Sequence, residues 1–339
     1  MKKRDIIEVT DLSESEVRNL FSLAFKIKNN QAEYSKSLNG KILAMIFQKP
    51  STRTRVSFEA GMYQLGGRAI NLSGNELQLS RGETIGDTAR TLSGYVDAIM
   101  IRSTSDSDVQ GLAKFGTVPV INGLSKSFHP CQALGDLFTV CEKKGLDENS
   151  VMDFDFEKVK LVFVGDSNNV SRSILKLSGI LKYRFGIICP DKFMFKKAEF
   201  EDVRKLNPNI YSSSEMSPDY IKDAEFIYTD VWSSMGDEAE EDERKKLFGR
   251  YQVNRQLLDT AAKNVSVMHC LPARRGQEIT DEVMDSDNSI VFAQAHNRMH
   301  IQKAILHFLL KGININTPSD LRPATPFTKR GINSKKEIK

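Results

Sequence analysis

Ile42-Leu43-Ala44-Met45-Ile46-Phe47-Gln48-Lys49-Pro50-Ser51-Thr52-Arg53-Thr54-Arg55 is the stretch whose reading decides the fold. Six apolar residues closed by a proline have the pattern of a buried strand, and Val56-Ser57-Phe58-Glu59-Ala60 continues as a helix. Free N–H groups at a helix start, three hydroxyls and two arginine forks together suit a phosphate or another planar oxyanion. A solvated, capped helix start accounts for the same spacing about equally well. The two arginines beside hydroxyls tilt the reading toward an anion site.

On the N-terminal side, Ser13 and Glu16 form a capping box, and Val17, Leu20, Phe21, Ala24 and Phe25 recur at helical spacing. On the C-terminal side the helix stops at Gly66-Gly67. Strands are expected at 68–72, 97–102 and 118–121, with helices at 84–95 and from His129-Pro130-Cys131-Gln132 to about Lys144. Gly145 to Glu157 is polar, acidic and without period, so a domain boundary is expected there. The pattern then restarts, with strands at 160–164, 185–189, 225–229, 265–268 and 290–293, and helices at 170–183 and 296–310. The remainder, 312–339, reads as a solvated basic tail.

This alternation implies two α/β domains, each with a central, mainly parallel sheet flanked by helices, and an active site in the cleft between them. Ligands of such sheets bind beyond the carboxyl ends of the strands. The unusual polar groups fall at such ends: Ser51 to Arg55, Arg102, His129 with Gln132, Asn168 with Asn169, Asp230, His269 with Cys270, and Arg298.

Composition narrows the functional classes. The 339 residues carry 48 Lys and Arg against 44 Asp and Glu, a net charge of +4 with much of the excess at the chain ends. That balance gives little reason to expect nucleic acid as the main partner. Cys131, Cys141, Cys189 and Cys270 are too scattered for a zinc pattern. No apolar run approaches the roughly 20 residues of a membrane span, and nothing at the N-terminus resembles a secretory or transit segment. The expected setting is cytoplasmic. Gly165-x-x-x-x-Val170 lacks the glycines of a dinucleotide fingerprint and no P-loop is present, so neither a nucleotide cofactor nor a metal is expected. Acyl transfer from a substrate with a good leaving group fits side-chain chemistry alone.

Phe47-Gln48-Lys49-Pro50-Ser51-Thr52-Arg53-Thr54-Arg55, His129-Pro130-Cys131-Gln132, Asp230-Val231-Trp232-Ser233-Ser234-Met235-Gly236 and His269-Cys270-Leu271-Pro272 stand in the order and spacing of the carbamoyltransferases. The sequence resembles that family from about Ile42 to Leu310, and the Ser-Met-Gly and His-Cys-Leu-Pro motifs resemble its ornithine-specific branch. The resemblance implies carbamoyl transfer from carbamoyl phosphate to the δ-amine of L-ornithine, a carbamoyl phosphate-binding domain at 1–145 and an ornithine-binding domain at 146–311. It implies that Ser51, Thr52, Arg53 and Thr54 hold the phosphate, while Arg102, His129 and Gln132 surround the carbamoyl group. Cys270, Leu271 and Arg298 would also reach carbamoyl phosphate. Asp230 and Cys270 would lie near the attacking amine, and Asn169, Ser234 and Met235 would hold the amino-acid end of ornithine. Gln78 would be lent to a neighbouring subunit, making a homotrimer or a multiple of trimers the implied assembly. Two departures stand beside the site: Arg274, where the family often has His, and Ala295 to His300. Putrescine, N-acetylornithine or aspartate as acceptor, and a catalytically silent anion-binding module, are the rival readings.

Overall fold

The computed structural model describes residues 3–74, 77–78, 82–233 and 241–312. Its strands are β1 (Ile42–Phe47), β2 (Arg68–Ser73), β3 (Ala98–Arg102), β4 (Val120–Leu124), β5 (Lys160–Val164), β6 (Arg184–Ile188), β7 (Ile210–Ser213), β8 (Phe226–Thr229) and β9 (Ser266–His269). They form two sheets, ordered β2-β1-β3-β4 and β7-β6-β5-β8-β9, and the strand pairs are parallel. Helices of two turns or more are α1 (Glu14–Asn29), α2 (Thr52–Gln64), α3 (Ile85–Ser93), α4 (Asp106–Phe115), α5 (Pro130–Lys143), α6 (Asn169–Leu181), α7 (Lys197–Arg204), α8 (Glu241–Phe248) and α9 (Val291–Lys311).

Local chemistry explains the elements. The Ser13 hydroxyl accepts from the Glu16 N–H while the Glu16 carboxylate accepts from the Ser13 N–H, so α1 starts at the expected capping box. β1 and β5 are apolar along nearly their whole length because helices cover both faces. After α2, Gly66 adopts φ +83°, and a Cβ there would meet the Ser35 carbonyl oxygen at 2.6 Å. Chain reversal and close approach both require glycine.

Two apolar clusters follow from the layering. A smaller one (Ala44, Ile46, Ile99, Ile101, Val109, Leu112) fills the face of the first sheet under α3 and α4. The larger cluster runs from the other face of that sheet through the second sheet. Its link is α5, buried from Pro130 to Cys141. Helix α9 comes back from the end of the second sheet to pack on α1, α2 and α5. Among the described residues no helix is long and apolar enough to cross a membrane.

Several expectations need correction. Residues 290–293 are not a strand: Ile290 precedes α9, which starts at Val291 and is therefore longer than the expected 296–310. A four-residue apolar run has no period that separates a strand from the first turn of a buried helix. β4 lies at Val120–Leu124 rather than 118–121. The edge strand β7, read as Ile-Tyr-Ser-Ser, and helix α4 have weak periods and are found only in three dimensions. The polar stretch 145–157 contains a helical turn, Ser150–Asp153. Apart from Gly312, the expected tail lies outside the described residues.

Arg18 on α1 ties this connecting stretch down. Its Nη1 donates to the carbonyls of Val151, Met152 and Phe154 at 3.1, 3.1 and 2.9 Å, and its guanidinium lies 5.0 Å from the centre of the Phe156 ring. Three carbonyls would lose a charged donor together. Arg18→Ala is expected to cost about 1.5–3 kcal/mol of stability, measured by denaturant unfolding; a change below about 0.5 kcal/mol would show the stretch is held by other contacts.

Candidate active site

Both sheets reverse their strand order beside strands that carry the predicted residues. In the first sheet the switch lies between β1 and β3, placing Ser51 to Arg53 beside Arg102, the last residue of β3. In the second it lies between β5 and β8, placing Asn168 and Asn169 beside Asp230. A cleft of about 970 Å³ lies between these ends.

On the first side, Ser51 occupies the N-cap position of α2 with extended backbone but makes no capping hydrogen bond. Its hydroxyl instead accepts from Arg102 Nη1 at 3.1 Å. The capped-start reading of this turn therefore fails, and the anion reading remains. Arg298, 3 % exposed, reaches over from α9 to donate from Nη2 to Thr54 Oγ1 at 2.7 Å. Burial lowers the Arg102 pKa to about 10, with Arg298 and Arg53 nearby adding to the effect. Burial likewise lowers that of Arg298. Three cations gathered at one point favour an anion among them.

His129 sits at the N-cap of α5, with Pro130 as the first helical residue. Its backbone N–H donates to Ser173 Oγ on α6 at 2.9 Å, and its buried Nδ1 has no partner among the described residues. Burial, reinforced by Arg298, Arg102 and Arg53, holds the imidazole well below its ordinary pKa, so it stays uncharged and can donate one hydrogen bond. Gln132 lies on the same helix. Its Nε2 donates to Asp136 at 2.7 Å, while its buried Oε1 has no partner among the described residues.

The second side is organised around Asp230. Its Oδ1 accepts from Cys270 Sγ at 2.9 Å and from the Val231 N–H at 2.8 Å; its Oδ2 accepts from Asn168 Nδ2 at 2.7 Å. Asn168 also caps α6, accepting from the N–H groups of Val170 and Ser171. Burial, with Asp230 beside it, pushes the Cys270 thiol well above its ordinary value. Leu271 adopts φ +57° ahead of a cis Pro272, and its N–H donates to His269 Nδ1 at 2.9 Å. That bond leaves the ring hydrogen on Nε2, 3.0 Å from buried Glu278, which also accepts from the Arg274 N–H at 2.6 Å. A left-handed leucine is strained by about 1–2 kcal/mol, and this buried network holds it in place.

The two sides touch. Asn169 Nδ2 donates to the Ser125 carbonyl at 2.9 Å, joining α6 to the turn after β4. Of the predicted residues, Ser51, Thr52, Arg53, Arg102, His129, Gln132, Asn169, Asp230, Cys270, Leu271 and Arg298 line the cleft. Thr54 is buried behind it as the acceptor for Arg298. Gln78 is exposed and does not line this chain's own cleft. Ser234 and Met235 lie outside the described residues. Sequence reasoning passed over the groups behind the lining: Asp136, Tyr228, Gln294 and Glu278. Asp136 and Gln294 were within reach, each being four residues from a predicted residue on one helix.

A ligand atom each from Asp230, His269 and Cys270 lie within 4.8 Å of one another. Both ring nitrogens of His269 already serve Leu271 and Glu278, and the thiol serves Asp230. This trio is a hydrogen-bond network rather than a vacant ligand set.

Comparison with known proteins agrees with this layout. Residues 4–142 match the aspartate/ornithine carbamoyltransferase carbamoyl-P binding domain, and residues 157–309 match the corresponding Asp/Orn binding domain. The sequence is similar to ornithine carbamoyltransferase of Methanosarcina mazei, 49% identical over 311 residues, 91% of this chain and 100% of that protein. It is similar to the anabolic ornithine carbamoyltransferase of Pyrococcus furiosus, 47% identical over 91% of this chain and 97% of that protein. The solved structure of the ornithine carbamoyltransferase from Pyrococcus furiosus superposes with a TM-score of 0.85 at 46% identity, covering 92% of this chain and 98% of that one. The one from Giardia lamblia superposes with a TM-score of 0.82 at 29% identity, covering 92% and 100%.

The cationic side makes a binding prediction. Inorganic phosphate titrated into the protein is expected to bind, and Arg53→Ala to weaken that binding by about tenfold or more without loss of fold, measured by calorimetry beside thermal unfolding. Unchanged affinity in the folded variant would move the phosphate site away from α2.

Proposed function

This chain belongs to the aspartate/ornithine carbamoyltransferase family, and on that footing we propose that it transfers the carbamoyl group of carbamoyl phosphate to the δ-amine of L-ornithine, giving L-citrulline and phosphate. The observation that carries the reading is the convergence of Arg53, Arg102 and Arg298 on the start of α2, opposite the Asp230–Cys270 pair. One side suits a doubly charged phosphate. The other suits an amine.

Under this reading the phosphate sits on Ser51, Thr52, Arg53 and Thr54, and Arg102 donates to the carbonyl oxygen. The carbonyl faces Arg102 and uncharged His129, and Gln132, Leu271 and Arg298 complete the pocket. Ornithine enters from the second side, its amino-acid end held by Asn169, Ser234 and Met235, its δ-amine beside Asp230 and Cys270. A free alkyl amine has a pKa of about 10.4, so the site must receive or generate the neutral form. Attack forms the C–N bond and a tetrahedral oxyanion, which Arg102 and His129 stabilise by about 3–4 kcal/mol for each donor. Collapse breaks the C–O bond, and the departing phosphate takes the proton that the amine gives up. The Cys270 thiol, bonded to Asp230, orients the amine; no acyl-enzyme is needed.

The wider assignments follow the same reading: no cofactor, a cytoplasmic setting, and arginine synthesis, the direction carried in the name of the anabolic Pyrococcus furiosus relative. Residues 1–145 form the carbamoyl phosphate domain, and residues 146–311 the ornithine domain. The assembly is a homotrimer or a multiple of trimers. Tyr63, 83 % exposed, and Val56, 58 % exposed, on the outer face of α2, with Ile70 on edge strand β2, support a contact between copies.

Purified protein offered ornithine, putrescine, N-acetylornithine and aspartate separately, each with carbamoyl phosphate, is expected to form citrulline selectively. Turnover of another amine would keep the carbamoyl site and overturn the acceptor. Light scattering should give at least three times the chain mass, and Gln78→Ala should raise KM for carbamoyl phosphate about tenfold or more with the assembly intact. An active monomer would contradict the shared site.

A further inference from the structure

The buried carboxylate of Asp136 stands one helical turn behind Gln132 and belongs to none of the groups that reach the cleft. Three donors from three elements converge on it. Gln132 Nε2 from α5 and Gln294 Nε2 from α9 both donate to Oδ1 at 2.7 Å, and the Tyr228 hydroxyl from β8 donates to Oδ2 at 2.9 Å. The direction of these bonds is determined at one end. Gln294 Oε1 accepts from the backbone N–H of His269 at 2.9 Å, and a backbone N–H can only donate. The other end of that amide must therefore be the NH2 group, and Asp136 Oδ1 must accept. Burial pushes the Asp136 carboxyl up to about 7, and while it is ionised that oxygen can only accept, so Gln132 must donate to it and Gln132 Oε1 is the end left over. Among the described residues that buried oxygen has no partner.

An unpartnered acceptor in a buried pocket calls for a ligand N–H. Carbamoyl phosphate offers acceptors at its phosphate and carbonyl, and donors only at its NH2 group. Acetyl phosphate has the same phosphate and carbonyl, with a methyl group in place of the NH2. We propose that Asp136 is a positioning residue that locks the Gln132 amide with its oxygen presented to the ligand, so that the site selects a carbamoyl over an acetyl group. The chain of constraint runs from the His269 N–H through Gln294 and Asp136 to Gln132. It links the strand end that precedes Cys270 to the pocket on the opposite side.

This inference rests on the carbamoyl-transfer reading, and one assay separates the two. Citrulline formation is measured with carbamoyl phosphate, with acetyl phosphate as competitor, and the ratio of acetyl phosphate Ki to carbamoyl phosphate KM is the readout. The wild-type ratio is expected to be about tenfold or more, because the methyl group leaves Gln132 Oε1 unpaired. Asp136→Leu releases the Gln132 amide and should bring the ratio toward one. Asp136→Asn keeps an oxygen facing the two glutamines, with Tyr228 turning to accept, and should restore most of the discrimination. Gln132→Leu removes the acceptor outright and should abolish it, which keeps the test decisive if Asp136→Leu does not fold. A packing role alone would change thermal stability and leave the ratio in place. A wild-type ratio near one, discrimination retained in folded Asp136→Leu or in Gln132→Leu, or discrimination lost in Asp136→Asn would overturn the proposal. Absence of any citrulline from the wild-type protein would instead overturn the carbamoyl-transfer reading itself.

Discussion

Three guanidiniums held together, with no carboxylate among the described residues in their hydrogen-bond contacts, are the constraint on which the rest of this structure depends. Arg102 ends a strand, Arg53 opens a helix, and Arg298 arrives from the last helix, with neutral hydroxyls of Ser51 and Thr54 anchoring Arg102 and Arg298. Such an arrangement is unfavourable in the empty protein, since burial and mutual repulsion both disfavour the charged forms. The surrounding fold has to hold it. The burial of α5 and the return of α9 across α1, α2 and α5 supply the apolar contact that does so. A dianion entering this pocket would relieve the repulsion, and under the proposed function the same three charges serve both recognition and charge stabilisation.

The second side is organised by hydrogen bonds of fixed direction. Asp230 accepts from a thiol, an amide and a backbone N–H, so its carboxylate is oriented before any ligand arrives. Glu278 plays the matching role for the turn at Leu271, holding His269 and the Arg274 N–H. These buried acceptors keep the strand ends preorganised, and preorganisation matters most where the reaction develops charge. The two sides are joined at Asn169 with Ser125 and at His129 with Ser173, contacts through which the geometry of one half constrains the other.

Much of this was legible in order along the chain because it is written in local patterns. The apolar run of β1 and its proline stop, the Ser13–Glu16 box and the Gly66 reversal each need only neighbours in sequence. Polar residues at the ends of apolar runs marked the cleft, since parallel sheets place those ends together. Where local signals were weak the reading slipped. Residues 290–293 lacked the length to distinguish a strand from a helix start, and the edge strand β7 had too little apolar content to register.

The sequence by itself determined which groups could meet an anion and an amine, because hydroxyls, guanidiniums, a thiol and a carboxylate carry their chemistry wherever they sit. It also determined that most of them would stand at strand ends; Arg298 instead lies two turns into α9, which starts at Val291 with no strand directly before it. Only the tertiary structure decided which way each group is held. Thr54 and Arg298 are 244 residues apart, and their contact exists because α9 packs back on the first half. Ser51 was free to cap α2 or to receive Arg102, and the placement of β3 beside β1 chose the second. The orientation of the Gln132 amide is set by Gln294, 162 residues further on, through an acceptor that both share. Such choices depend on the direction and burial of distant partners, and no pattern along the chain encodes them.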